Sequence, residues 1–140
     1  RLVQINRRAR RLPQNIDARD VIKMPVRQQN RLQLHLLFLQ IAHYLEENYE
    51  KPFSQEECAA RFFMSRDYLC RRFTKELGVS MVSYLNGIRI QQAKLLMSNP
   101  KATIRSIAHQ VGFEDEKYFA RQFKRIEGIS PGEYRARLLK

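Results

Sequence analysis

The chain has 140 residues and a formal net charge of +12 at pH 7, with 29% charged and 44% hydrophobic residues. That composition supplies enough apolar material for a packed core and excludes wholesale disorder. No apolar run approaches the roughly 18 residues of a membrane span, and no signal-peptide pattern opens the chain. So basic a balance points to nucleic acid, to an anionic membrane surface, or to plain solubility.

Residues 1–30 show no helical apolar period, contain Pro13 and Pro25, and are rich in Arg, Gln and Asn. They read as a basic linker or arm. Up to Arg31 there are nine Lys and Arg against Asp17 and Asp20, a net +7 that leaves +5 for the remaining 109 residues. The start at Arg1 lacks an initiator Met, which suggests a fragment or a processed chain, with room for a domain ahead of Arg1.

From Leu34 the pattern changes. Leu34, Leu37, Phe38, Ile41, Tyr44 and Leu45 recur at helical spacing and predict an amphipathic helix over about 31–48. Lys51-Pro52 stops it. Ser54 to Glu57 has the form of a capping box, opening a short helix to about 62. Ser65 caps the next, about 66–77, and Gly78 closes it. Two short helices around a turn of about three residues have the helix-turn-helix layout.

A longer helix over about 81–98 follows, with Met81, Leu85, Ile88, Leu95 and Leu96 on one side and Asn99-Pro100 ending it. A second cycle begins at Thr103, with Ile104, Ile107, Ala108 and Val111 on one face and a turn at Gly112-Phe113. A helix over about 115–127 ends at Gly128, and Ser130-Pro131-Gly132-Glu133 caps a last one over about 131–138. No strand pattern occurs, so the fold class is all-α. The domain reading is an arm at 1–30, a first lobe at 31–79, a connecting helix at 80–98, and a second lobe at 99–140.

The two cycles repeat each other. Tyr68, Leu69, Arg71, Phe73, Gly78, Ser80 and Tyr84 recur 50 positions later as Tyr118, Phe119, Arg121, Phe123, Gly128, Ser130 and Tyr134. Upstream the offset is 49, with Ala59 matching Ala108, so the second turn is one residue longer. A duplicated basic helical unit suits two successive faces of a nucleic-acid duplex.

The stretch from Ile107 to Arg125, with Gly128-Ile129-Ser130-Pro131 and Tyr134-Arg135, resembles the signature of the AraC/XylS family of bacterial transcription regulators. That pattern is I-A-x-x-V-G-F, an aromatic pair, an Arg, F-K-[KR], a Gly, and [ST]-P-x-x-[YF]-R. The resemblance covers about 33–138. It implies two helix-turn-helix units joined by a long helix, with the second helix of each unit in the major groove.

In the second unit, Phe119, Phe123 and Ile126 at i, i+4, i+7 should face the core, with Tyr118 at its edge. Glu116, Lys117 and Arg121 match the family's base-facing positions. Arg121 suits bidentate contact with guanine, and Glu116 suits cytosine N4. In the first unit Asp67, Cys70 and Arg71 match those positions, although Cys70 is a poor hydrogen-bond partner. Phe62-Phe63-Met64 is bulkier than the usual turn of the family. Expected phosphate contacts are Ser65, Arg66, Arg72, Thr103, Lys124 and Arg125.

Other chemistry finds no support. Cys58 and Cys70 lack metal-ligand spacing and read as reduced packing thiols, and His35, His43 and His109 read as surface or packing residues. No nucleophile–base arrangement suggests an enzyme, and neither cofactor nor metal is expected. The reading is a sequence-specific DNA-binding regulator, cytoplasmic and nucleoid-associated, contacting two major-groove segments about 10 bp apart. The resemblance implies activation more often than repression, RNA polymerase as a partner, and an effector-sensing or dimerising domain ahead of this region. A basic helical adaptor for RNA or an acidic protein, and non-specific DNA packaging, are the alternatives.

Overall fold

The fold is that of a computed structural model, which describes residues 26–140. The described residues form seven helices and no strand: α1 (Val26–Glu47), α2 (Gln55–Arg61), α3 (Arg66–Leu77), α4 (Met81–Leu96), α5 (Ile104–Gln110), α6 (Glu116–Glu127) and α7 (Pro131–Leu138). The all-α expectation therefore holds. None of these helices is long and apolar enough to cross a membrane.

Two compact lobes divide the chain. The first holds the described residues up to Leu45 together with Gln55–Met81, and the second holds Glu46–Ser54 with Val82–Lys140. The expected basic arm falls almost wholly on residues 1–25, outside the described residues. Residues 26–30, assigned to that arm by sequence, are instead the first turns of α1. Val-Arg-Gln-Gln-Asn offers helix-compatible residues but no apolar period, and its side chains are mostly exposed, so hydrophobic spacing gave no signal there.

In the first lobe α1 contributes Phe38, Ile41, Ala42 and Leu45 to the core, α2 contributes Cys58 and Ala59, and α3 contributes Leu69, Phe73 and Leu77. Phe38 meets Phe73 edge-on at 6.5 Å. Tyr44 meets Phe62 at 5.8 Å, with the Arg61 guanidinium 4.7 Å from the Tyr44 ring centroid. In the second lobe Ile90 and Ala93 from α4, with Met97 just past its end, join Ile107, Ala108, Val111, Phe113, Phe119 and Phe123. An aromatic file runs through it, Phe113 to Phe119 at 5.2 Å, Phe119 to Phe123 at 5.8 Å, and Phe123 to Tyr134 at 5.4 Å.

The connecting helix departs from its expected pattern. Met81 and Leu85 are buried, and so is Tyr84, but Leu95 is 68% exposed while the polar Asn86 and Arg89 are buried. From Val82 onward α4 is part of the second lobe. Its polar residues are held by tertiary partners that no periodicity records. The Tyr84 hydroxyl donates to Glu46 at 2.7 Å. Arg89 donates from Nε to the Tyr49 carbonyl at 2.8 Å and from a terminal nitrogen to the Lys51 carbonyl at 3.0 Å.

Local signals bound the helices, mostly where the sequence indicates, though Asp115, expected as the first helical residue, is instead a cap. Ser65, Thr103, Asp115 and Ser130 each accept a hydrogen bond from a backbone N–H in the first turn they precede. Gly78 and Gly128 close α3 and α6 in the left-handed conformation.

Candidate nucleic-acid interface

Each lobe carries a helix-turn-helix, α2–α3 in the first and α5–α6 in the second, and the helices of each pair pack together. The two turns share one hydrogen-bond pattern at an offset of 49. Met64 N–H reaches the Ala59 carbonyl at 2.9 Å and Phe63 N–H the Ala60 carbonyl at 3.1 Å. Phe113 N–H to Ala108 and Gly112 N–H to His109 repeat this at 2.9 and 3.1 Å. Both are Schellman turns, and both need a left-handed residue. The second has Gly112 at φ +98°, whereas the first has Phe63 at φ 56°, with its side chain 99% exposed.

The turn fixes where the following helix starts, and burial then fixes its face. In α6, Phe119 and Phe123 are buried, with Tyr118 and Ile126 partly so. Glu116, Lys117, Arg121, Lys124 and Arg125 are exposed, so the side chains expected to read bases and grip phosphates share the solvent side. Asp115 caps the helix through its carboxylate, 2.9 Å from the Lys117 N–H. The Lys94 ammonium reaches the Glu127 carboxylate oxygens at 3.0 and 3.1 Å and ties the far end of α6 to α4.

The first lobe offers its reading helix differently. Leu69 and Phe73 are buried and Asp67 and Arg71 are exposed, but Cys70 is half-buried. Arg71 Nε donates to the Asp67 carbonyl at 3.3 Å. Arg66 pairs with Glu56 at 3.1 Å in an exposed contact and also donates to Gln55. Arg72, expected among the phosphate contacts, pairs at 3.0 Å with Glu76, whose other oxygen lies 3.1 Å from His35 Nδ1. That cluster joins α3 to α1. Ser65 and Thr103, also in the expected phosphate set, are exposed N-caps of α3 and α5.

A cleft of about 500 Å³ opens beside the start of α6, wholly within the second lobe. Asn86 and Arg89 of α4 line one wall, and Asp115, Tyr118 and Arg121 line the other. The Asn86 amide donates to the Tyr118 hydroxyl at 3.0 Å. The Arg121 guanidinium sits 5.9 Å from the Tyr118 ring centroid, and the Arg89 guanidinium 5.5 Å from that of Phe113. Burial lowers the Arg89 pKa, an effect opposed by Tyr118 and Glu114. Sequence reasoning passed over Asn86 and Arg89. Polar residues recur throughout this helix, as Ser83, Gln91, Gln92 and Lys94 do, so nothing in the sequence sets these two apart.

A helix-turn-helix domain model matches residues 58–137. The arabinose operon regulatory protein of Salmonella typhimurium is 39% identical over 87 residues, 62% of this chain and 31% of its own length. The C-terminal domain of AraT, a response regulator from Geobacillus stearothermophilus, superposes with a TM-score of 0.67 at 30% identity, covering 71% of this chain and 84% of that domain. The DNA-binding domain of the global transcriptional factor AdpA, solved with a target DNA, gives a TM-score of 0.65 at 29% identity, covering 71% and 89%. The chain spans about a third of the length of such curated relatives.

Proposed function

The chain belongs to the AraC-type helix-turn-helix family as the DNA-binding region of a transcription regulator, and from that premise we propose that it binds specific DNA with two reading helices. On this reading α3 and α6 enter two major-groove segments about 10 bp apart on one face of the duplex. Asp67, Cys70, Arg71, Glu116, Lys117 and Arg121 face the bases. Ser65, Arg66, Thr103, Lys124 and Arg125 face phosphates. Arg72 holds α3 against α1 through Glu76. The observation that carries the reading is the two-sided character of α6, with buried Phe119 and Phe123 opposite exposed Glu116, Lys117, Arg121, Lys124 and Arg125. A net charge of +12 adds the sequence-independent attraction to the duplex. That the AdpA DNA-binding domain, similar in fold and 29% identical, is solved with a target DNA supports duplex DNA as the partner.

We further propose that the regulator activates transcription through contact with RNA polymerase, and that a sensing or dimerising domain accompanies this region in the whole protein. Selection from random duplex DNA tests the central reading. A bipartite, directional motif is expected, and affinity independent of sequence would sink it. Arg121→Ala should relax one position of the motif by about 1–3 kcal/mol while sparing the rest.

A further inference from the structure

Arg121 has a built support. Its guanidinium lies over the Tyr118 ring. That ring is held at its tip by the hydrogen bond from Asn86, and along its side by Phe113, with centroids 5.9 Å apart. Asn86 is 3% exposed and comes from α4, not from the reading helix. A buried amide is costly unless its hydrogen bonds are made, so this one fixes Tyr118 against rotation. A ring so held gives the guanidinium a surface on which it keeps its charge, its plane and its donors. Among the described residues no carboxylate pairs with Arg121. The repeat-equivalent Arg71 instead donates to a carbonyl of its own helix, and Tyr68 is 42% exposed.

We propose that Asn86 and Tyr118 are positioning residues that present the Arg121 fork for base readout, so that α4 sets the specificity of α6 without touching DNA. This rests on the reading of Arg121 as a base contact. An unsupported Arg loses side-chain freedom when it forms a bidentate contact, whereas one already stacked on a fixed ring loses less. The gain therefore falls on discrimination at one base pair rather than on general affinity.

The test is competition binding of the whole chain to its selected duplex and to single-base-pair variants of it, in the wild type and in an Arg121→Ala background. Tyr118→Leu should lower discrimination at the Arg121 base pair about two- to fivefold. Other positions, non-specific affinity and the salt slope should be unmoved. Tyr118→Phe keeps the ring and its Phe113 contact, so it should lose less. It should match Asn86→Ala, and the double variant should be no worse than either single one. With Arg121→Ala in place, none of these changes should matter further. Thermal unfolding of each variant separates loss of fold from loss of readout. Equal losses at every base pair, or the same loss in the Arg121→Ala background, would overturn the inference alone. A wild-type chain with no base preference would overturn the functional reading and this inference with it.

Discussion

Gly112 is the position where backbone, core and reading helix meet, and Gly112→Ala exposes how tightly. A Cβ built at Gly112 lies 2.6 Å from the Tyr49 carbonyl oxygen and 3.0 Å from Cζ and Nε of Arg89. Two costs follow. Holding an L side chain in the left-handed region costs roughly 1–2 kcal/mol. The Tyr49 oxygen is backbone and accepts from Arg89 at 2.8 Å, so making room lengthens a bond to a buried charge, at about 1.5–3 kcal/mol. Together these give about 2.5–5 kcal/mol. Gly128→Ala is the control in the same lobe. It has φ +83° but nothing within 4 Å of its Cβ, so only the first cost applies, roughly 1–2 kcal/mol. Urea unfolding, with amide exchange reporting on α5 and α6, compares the two variants. Gly112→Ala no worse than Gly128→Ala would mean that the Tyr49 carbonyl does not crowd a Cβ at position 112. In an Arg89→Met background the excess at Gly112 should shrink, because the displaced bond is already gone.

The first turn predicts the opposite sign. Phe63→Gly removes a left-handed L residue whose side chain packs on nothing, and after the added chain entropy of Gly it should stabilise the first lobe by about 0.5–1 kcal/mol in denaturant melts. Burial, with a smaller contribution from Cys70 and against the pull of Arg61, pushes the Cys58 thiol up to about 11. Since the folded value lies above the unfolded one, the stability linked to it is complete below about pH 9 and is lost as pH rises towards 11. A pH series of unfolding free energies should therefore fall more steeply for the wild type than for Cys58→Ala across that window.

Much of this fold is written locally, because its punctuation is made of residues that satisfy orphan backbone groups by themselves. Ser65, Ser130, Gly78 and Gly128 act where the sequence places them, and the 49-residue offset upstream reappears as identical turn hydrogen bonds. What was not legible depends on partners distant in sequence. Asn86 and Arg89 look like any other polar residues of α4 until Tyr118 and the Tyr49 and Lys51 carbonyls stand opposite them. Leu95 fits the helical period yet remains exposed, since α4 buries Ile90 and Ala93 instead, with Met97 following just past its end. Arg72, expected at a phosphate, is paired with Glu76, which in turn meets His35 once α1 and α3 pack.

That last difference bears on how the two lobes share the grip on DNA. Each phosphate neutralised by a cation contributes about 0.9 to the slope of log affinity against log salt. A cation contributes only if its charge is available. Lys124 and Arg125 are exposed on the last turn of α6. Arg72 and Glu76 are both largely shielded, and Glu76 also faces His35. Arg66 is intermediate, because its pair with Glu56 is exposed and worth little in water. Lys124→Ala and Arg125→Ala should therefore each flatten the salt slope by about 1 with stability unchanged. Arg72→Ala should leave the slope alone and destabilise the first lobe, because it strands part of the Glu76 cluster. Equal flattening by Arg72→Ala would mean that the pair opens on DNA. The second lobe would then not supply most of the electrostatic grip.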